Sequence, residues 1–290
     1  MSREDNMPTA SMQEILKRAF AKRYGVAAFN MVNDLTMEAT LAAAAELRSP
    51  LIVQVSVKTV KFWGAKLIQL MFAEMAGKIS VPATLHLDHC PDVGVIKECL
   101  EAGWNSVLFD GSGLSYEECL QQTKKVVALA HRYGAAVEGE IEPVKGVEDG
   151  LGSEAEVAVF STDKAVAFIR ETGIDSFAPA IGTAHGVYKA EPKINFGRVD
   201  EIVAAVGIPL VIHGGTGLSE EVFHGLIGRG AVKVNISTEL KITFADSLRQ
   251  YLEKYPKQYD PLKLLGANRE AVKAMAARFI TIFGSQGQGL

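Results

Sequence analysis

Short β-rich runs alternate with longer helical patterns along nearly the whole chain, and few folds are compatible with such an alternation. The predicted strands are residues 26–29, 51–55, 83–87, 106–109, 136–140, 176–180, 210–213 and 232–235. The predicted helices are residues 36–47, 66–77, 93–102, 115–133, 162–171, 198–206, 219–228, 238–255 and 269–283. Eight β/α units in 290 residues, with no Pro/Ser-rich linker, predict a single α/β domain over residues 1–290: a (β/α)8 TIM barrel with a C-terminal helical extension at 256–290. An open doubly wound sheet is the alternative.

The charge balance and the cysteines limit the partners and the compartment. Lysine and arginine total 30 against 34 acidic residues, and the basic residues are spread along the chain. This argues against nucleic acid or a membrane as the partner and favours a small substrate. Cys90, Cys99 and Cys119 form no CxxC pair, which suits a reducing compartment. Because no apolar run has signal-peptide or membrane-spanning character, we expect a cytoplasmic protein.

Every predicted strand ends in polar side chains or is followed by them. In a (β/α)8 barrel, the C-terminal strand ends and the loops after them form one rim, where active sites lie. The side chains expected at this rim are Asn30, Gln54, Ser56, Asp88, His89, Asp110, Ser112, Glu140, His185, His213 and Asn235. One polar residue at a strand end is common, but the whole set predicts an active site.

Three of the six histidines, His89, His185 and His213, follow or end predicted strands three, six and seven. Three imidazoles on one rim are a usual ligand set for catalytic zinc, although nitrogen-rich sites also accept other divalent ions. Asp88 precedes one of these histidines and is a candidate acid/base, or else orients a ligand histidine. The remaining histidines that we interpret as structural are His86, deeper in strand three, and His131 and His224 on helices.

Two glycine-rich or hydroxyl-rich loops predict an anion site. Gly214, Gly215 and Gly217 lie between strand seven and a helix, where backbone N–H groups and the helix dipole favour a phosphate. A second helix begins directly after predicted strand eight, and the segment after strand six contributes further candidates for the anion site. These additional residues are Asn235, Ser237, Thr238, Gly186 and Lys189. Two such loops side by side favour a phosphorylated substrate.

Taken together, four motifs resemble the class II, metal-dependent ketose-bisphosphate aldolases, the fructose- and tagatose-bisphosphate aldolase family. They are LHLDH (85–89), AIGTAHGVYK (180–189), HGGTG (213–217) and NISTELK (235–241), in the family's order. The resemblance implies a (β/α)8 barrel with zinc bound by His89, His185 and His213. It also implies that Asp88 exchanges a proton with the C4 hydroxyl of a sugar phosphate. Glu140 matches an alternative metal ligand, and Asp110 is a further candidate.

The same resemblance assigns the substrate site of a lyase that forms dihydroxyacetone phosphate and an aldehyde. Glu148, after strand five, matches a second acid/base that protonates the enediolate. The residues implied for the substrate are Asn30, Ser56, Gly186, Lys189, Gly214, Gly215, Gly217, Asn235, Ser237, Thr238 and, from a neighbouring subunit, Arg269. A homodimer or homotetramer is implied, and a monovalent cation is an additional candidate cofactor.

The chain departs from the family pattern in two segments. After strand five it has EIEPVKGVED, with Glu142 and Lys145 where the family has glycines. Glu138, earlier in the same stretch, is expected on the outer face of the strand or in contact with a ligand. After Ser56, Lys58 and Lys61 favour a different anionic aldehyde end. Three alternatives remain: a zinc hydrolase, a binding barrel without turnover, and a Schiff-base aldolase, against which strand six, lacking lysine, argues.

Overall fold

The strands close into one barrel. A computed structural model describes residues 10–142, 146–148, 151–153, 159–186, 188 and 191–289. The eight parallel strands are β1 Val26–Asn30, β2 Leu51–Ser56, β3 Ala83–Cys90, β4 Ser106–Asp110, β5 Ala136–Glu140, β8 Ser176–Phe177, β9 Leu210–Ile212 and β10 Ala231–Ile236. Around the barrel they follow the order β1-β10-β9-β8-β5-β4-β3-β2, and β2 pairs with β1. The (β/α)8 prediction is confirmed, and the open-sheet alternative is wrong. A short antiparallel ribbon, β6 Gly146–Glu148 with β7 Leu151–Ser153, follows β5.

Helices connect the strands. Their bounds are α1 Met12–Lys22, α2 Asp34–Glu46, α3 Val57–Trp63, α4 Ala65–Ala76, α5 Val93–Glu101, α6 Tyr116–Arg132, α7 Thr162–Thr172, α8 Phe196–Val206, α9 Glu220–Arg229, α10 Thr238–Lys254 and α11 Pro261–Ile282. The nine predicted helices are present, whereas α1 and α3 were not predicted. The last one starts at Pro261 rather than at residue 269, because Asp260 caps it by accepting a hydrogen bond from the N–H of Leu262.

Serine side chains begin several of these helices. Ser115 and Ser219 accept hydrogen bonds from the N–H of Glu118 and Val222, as expected of N-caps. Ser161 has the same role for α7, because its side chain accepts a hydrogen bond from the N–H of Lys164. These caps fix where each helix starts relative to the strand before it.

Helix α1 covers the N-terminal end of the barrel. Met12, Ile15 and Leu16 are buried on one face of the helix and belong to a cluster with Val26 and Val232 from the barrel strands. The spacing of these residues is that of a helix with one apolar stripe. With this end filled, the opposite end of the barrel is the one that can hold a functional site.

Strand register sets which polar groups lie level at that opposite end. Ser56 pairs with Asp88 across β2 and β3, and Asp110 pairs with Glu140 across β4 and β5. Parallel pairing therefore brings polar side chains from neighbouring strands to one height. No helix in the described part of the chain is both long enough and apolar enough to cross a membrane.

Candidate active site

Three imidazoles converge at the C-terminal end of the barrel. His89 lies in β3, His213 follows β9 directly, and His185 lies beyond β8. The ring centroids of His89 and His213 are 4.7 Å apart, and those of His89 and His185 are 5.2 Å apart. One nitrogen from each ring lies within 4.8 Å of the others. Such close approach of three mostly buried imidazoles is the donor arrangement that a divalent metal uses.

Buried atoms test whether a metal fits this cluster. Within the described residues, Nε2 of His89 has no hydrogen-bond partner, although the side chain is largely buried. A buried ring nitrogen without a partner loses its hydration for no gain, unless a ligand restores an interaction. The residues present therefore fit a nitrogen-bound metal.

Carboxylates form a second group around His89. His89, Asp110 and Glu140 also offer atoms within 4.8 Å of one another. Nδ1 of His89 lies 3.1 Å from Oδ2 of Asp110, and Nδ1 of His213 lies 3.0 Å from Oε2 of Glu140. Burial acts to lower the pKa of His89, but Asp88, Glu140 and Asp110 outweigh it and raise that pKa well above its usual range. The pocket therefore attracts positive charge.

Glu138 contacts both His213 and Lys233 inside the barrel. Glu138 is fully buried, and its Oε1 lies 2.8 Å from Nε2 of His213. Its Oε2 lies 2.9 Å from Nζ of Lys233, which also donates to Asn235 at 2.8 Å. With Nε2 bound to a carboxylate, His213 presents Nδ1 to the centre of the cluster. Burial opposes protonation, but Glu138 and Glu140 raise the pKa of His213 to about 9.

Asp88 lies beside the imidazole cluster on the same strand as His89. Its Oδ2 accepts a hydrogen bond of 2.7 Å from the amide of Asn30, and Gln54 donates to Asn30 in turn. Its Oδ1 has no hydrogen-bond partner among the described residues and lies 4.0 Å from Nε2 of His89. One oxygen is thus held and the other is available, which is the arrangement a proton-transfer group needs.

The backbone of His89 adopts an uncommon conformation. Its φ is +43°, in the left-handed region, and the pairing of β3 with β4 shifts between Leu87 and Cys90. A non-glycine residue there costs free energy and persists only where the surroundings impose it. The irregularity turns the histidine toward the cluster, while Asp88 before it keeps the strand register.

The loops after β8, β9 and β10 contact one another closely. Gly214 has a φ of +67°, and a Cβ there would lie 2.2 Å from the carbonyl oxygen of Ala184, so no larger residue fits. Tyr188 bridges these two loops, accepting from the N–H of Ala184 and donating to the carbonyl of Gly214. Thr216 caps α10 by accepting from the N–H of Glu239. The three loops form one unit.

Ser237 supplies an anion-competent group in that unit. It is buried at the N-terminus of α10, caps no N–H there, and its Oγ lacks a hydrogen-bond partner within the described ranges. Thr238 begins the helix, and Asn235 is buried two residues earlier. A helix N-terminus with an unsatisfied hydroxyl is suited to a phosphate oxygen.

Other predicted site residues are placed less directly. Ser56 is buried and caps α3 through the N–H of Thr59. Arg269 lies on α11 and contacts Glu38 of α2, with Nη2 2.7 Å from Oε1. Gly186, Gly215 and Gly217 lie in the contacting loops. Lys189 and Lys145 lie outside the described residues; of Glu148 only the backbone, in β6, is described. The roles predicted for these residues stay predictions.

Among the structural histidines, His86 is buried with Nδ1 2.8 Å from Oγ of Ser106, and His131 and His224 make surface contacts, as expected.

Sequence reasoning missed Lys233, Tyr188 and the ion pair of Glu142 with Arg198. Of the two alternatives expected for Glu138, the outer face is wrong, and the contact with a predicted ligand is found, since Glu138 contacts His213 inside the barrel. A lysine inside an apolar strand, two residues before Asn235, was an available signal for Lys233. Arg198 is buried too, and its Nη2 lies 2.7 Å from Oε1 of Glu142.

The similarities to known proteins indicate one protein family. The family model for fructose-bisphosphate aldolase class-II matches residues 10–288. The chain is 39% identical over 279 residues to the D-tagatose-1,6-bisphosphate aldolase subunit GatY of Klebsiella oxytoca, covering 96% of this chain and 98% of that protein. It is 36% identical over 283 residues to the sulfofructosephosphate aldolase of Alkalicoccus urumqiensis, covering 97% and 99%.

A solved structure agrees with this result. The crystal structure of the YdjI aldolase from Escherichia coli K12 superimposes with a TM-score of 0.85 at 32% identity, covering 97% of this chain and 100% of that one. Sequence motifs, barrel and neighbours therefore agree, and the chain belongs to the class-II fructose-bisphosphate aldolase family, whose members are lyases.

Proposed function

We propose that this protein is a zinc-dependent aldolase that reversibly cleaves a phosphorylated ketose to dihydroxyacetone phosphate and an aldehyde. The observation that carries the proposal is the convergence of His89, His185 and His213 beside the available oxygen of Asp88. When bound, zinc supplies Lewis-acid polarisation of the ketone oxygen and stabilises the negative charge that follows. Glu140 and Asp110 are proposed as further ligands at an alternative position.

Asp88 is proposed to take the proton in the first step. In cleavage, it accepts the C4 hydroxyl proton while the C3–C4 bond breaks and its electron pair enters the enediolate. Asn30, which donates to the other oxygen of Asp88, holds the carboxylate in place. We propose that Glu148 then delivers a proton to the enediolate carbon, giving dihydroxyacetone phosphate.

The phosphate is proposed to bind between the loops after β9 and β10. The unpartnered hydroxyl of Ser237, the helix start at Thr238 and the glycines Gly214, Gly215 and Gly217 support this location. Gly186, Lys189, Asn235 and Ser56 complete the proposed substrate site, with Arg269 as a candidate contribution from a partner in a homo-oligomer.

We propose that the aldehyde end carries an anion other than, or bulkier than, a simple phosphate ester. A cleft of about 400 Å³ is lined by Val32, Lys58, Thr59, Phe62, Trp63 and Lys241, and Thr59 is also a hydrogen-bond partner of Ser56. Lys58, one of the two lysines after strand two, lines it, and Lys61 does not. Cationic and aromatic walls suit a charged group on a short carbon chain. A relative named sulfofructosephosphate aldolase makes a sulfonated ketose phosphate a suitable member of a test panel.

The test is a panel of ketose mono- and bisphosphates, with a sulfonated ketose phosphate, assayed for release of dihydroxyacetone phosphate. We expect release from at least one compound, loss of activity on chelation and recovery with zinc. Activity that survives chelation, or borohydride trapping on a lysine, would overturn the zinc assignment. Hydrolysis without aldehyde formation would favour the hydrolase alternative. A cytoplasmic homo-oligomer, tested by fractionation and light scattering, is part of the same proposal.

A further inference from the structure

A buried ion pair holds both ends of the connection between β5 and α7. Glu142 lies just after β5 and is fully buried; Arg198, in the first turn of α8, is 6% exposed. Oε1 of Glu142 accepts from Nη2 of Arg198 at 2.7 Å and from the N–H of Phe160 at 2.7 Å. Phe160 lies where the connection returns to the barrel, directly before α7. One carboxylate oxygen therefore binds the exit and the return of this connection.

The same pair also holds the segment that leads to His185. Oε2 of Glu142 accepts from the N–H of Ala180 at 3.0 Å, and Nη1 of Arg198 donates to the carbonyl of Phe160 at 2.6 Å. Ala180 follows β8 and precedes His185 by a few residues. Four hydrogen bonds thus join three chain segments and α8 around the buried carboxylate of Glu142.

Aromatic contacts fix the returning end more firmly. The ring of Phe160 meets that of Tyr116 at a centroid distance of 5.6 Å, and the ammonium of Lys164 lies 4.7 Å from the Phe160 centroid. Tyr116 belongs to α6 and Lys164 to α7, so the return of the connection is held between two helices. Its position therefore depends on the barrel frame.

Between these ends, the connection touches the metal-site loop. Gly146, which begins β6, has a φ of +99°, and a Cβ there would lie 2.4 Å from the carbonyl oxygen of His185. The backbones of the two segments are therefore in direct contact, two residues before Glu148 in the same short strand. A shift at the ends of the connection would be transmitted to this contact.

A buried ion pair is a costly way to gain stability. Desolvation of both charges offsets most of their attraction, so an apolar pair of similar volume would hold the fold as well. The charged pair adds a fixed orientation. The planar guanidinium and the two backbone N–H groups can all donate to Glu142 in only one position of its carboxylate. We infer that Glu142 and Arg198 are positioning residues that set the location of the β6 ribbon, and with it Glu148, relative to the metal site. This inference rests on the proposed function of Glu148.

The experiment isolates the step assigned to Glu148. In D2O, the parent enzyme with dihydroxyacetone phosphate alone should replace one hydrogen on the hydroxyl-bearing carbon by deuterium. Glu148 takes the proton while the electrons of the C–H bond enter the enediolate, the carboxyl group exchanges its proton with solvent, and it returns a deuteron to the carbon. Proton NMR follows this exchange. For Glu142→Gln and Arg198→Lys, we expect exchange to fall about 10–100-fold, the loss typical of a displaced catalytic group. Zinc content and the KM for dihydroxyacetone phosphate should stay within about twofold of the parent.

Two comparisons separate positioning from general loosening. Ile202→Val, one turn after Arg198 on α8, removes a buried methyl group but neither charge nor hydrogen bond of the pair, and should lower Tm without slowing exchange. Arg198→Lys keeps the positive charge but loses the forked N–H donors of the guanidinium. It also gives a second test if Glu142→Gln does not fold. Exchange within about twofold of the parent in both pair variants, or an equal loss in Ile202→Val, would overturn the inference.

A double-mutant cycle tests the route through Glu148. In a Glu148→Ala background, Glu142→Gln should slow exchange little further, since the group that it positions is gone. Additive losses would overturn the inference. Failure of the proposed function has a different signature: no exchange by the parent, or parent-level exchange by Glu148→Ala.

Discussion

Glu138 and Glu142 lie on the same short segment and are both fully buried, yet they face different cations. Glu138 binds the imidazole of His213 and the ammonium of Lys233 inside the barrel. Glu142 binds the guanidinium of Arg198 and two backbone N–H groups between β5, β8 and the helices. The charge of an imidazole changes with protonation and metal binding, whereas that of a guanidinium does not.

The contrast teaches that buried negative charge serves two purposes here. Around Glu138 and Glu140, the carboxylates face an imidazole whose charge can change, and they raise the pKa of His213 to about 9 against the effect of burial. Around Glu142, a permanent charge fixes geometry. The first region should respond to metal, and the second should not.

The largest effect is expected from removing a proposed metal ligand. His89→Ala should lose bound zinc after dialysis and fall to background turnover, because two imidazoles and the carboxylates hold the ion too weakly. Metal per protomer, measured by elemental analysis, checks this. His131→Ala is the matched control, since His131 is a surface histidine bound to Asp175. Stoichiometric zinc in His89→Ala would contradict the ligand assignment.

Removing the proposed acid/base should separate chemistry from metal binding. Asp88→Ala should keep its zinc but lower kcat by about 10²–10⁴-fold, the usual contribution of general acid–base catalysis. Steady-state kinetics with the substrate found in the panel measure the effect. Turnover equal to that of the parent would refute the role of Asp88, and loss of zinc would make it a metal-positioning residue instead.

The pair of Glu142 with Arg198, whose charges do not depend on metal, should contribute the same free energy of unfolding with and without metal. Glu142→Gln leaves the guanidinium of Arg198 buried without a counter-charge, which costs about 3–5 kcal/mol of unfolding free energy. Urea unfolding with zinc and with chelator should give the same loss within error. A loss that appears only with zinc would erase the contrast between the two regions.

Substitution in the region around Glu138 should instead change metal binding, and the effect in free energy should be smaller than that of Glu142→Gln. Glu138→Gln removes the carboxylate that orients His213, and zinc affinity should fall about 10–100-fold, as for other groups that orient a ligand histidine. Competition with a chelator of known affinity measures this. Glu171→Gln, which breaks the exposed pair with Lys124, is the control. Unchanged affinity in Glu138→Gln would show that the hydrogen bond does not orient the ring.

Features that depend on residues close together in the sequence could be predicted, whereas contacts between distant residues could not. The barrel could be predicted because each strand and helix carries its own local pattern, and the meeting of the three histidines because each lies at the end of a strand or in the loop after it. The contact between Glu138 and His213 joins β5 to the end of β9 past the intervening β8, and the pairing of Glu142 with Arg198 also joins segments far apart in the sequence, so neither follows from a local pattern. Helix α3, VKTVKFW, is rich in β-branched and aromatic residues that form helices poorly; Ser56 starts it.

The cap that Thr216 provides for α10 has a consequence for anyone who re-engineers this barrel. The threonine belongs to the loop after β9, yet it satisfies an N–H of the helix after β10. A loop transplanted from another barrel would leave that helix start uncapped unless it brought its own hydroxyl at the same point. The smallest exchangeable module is therefore two successive β/α units.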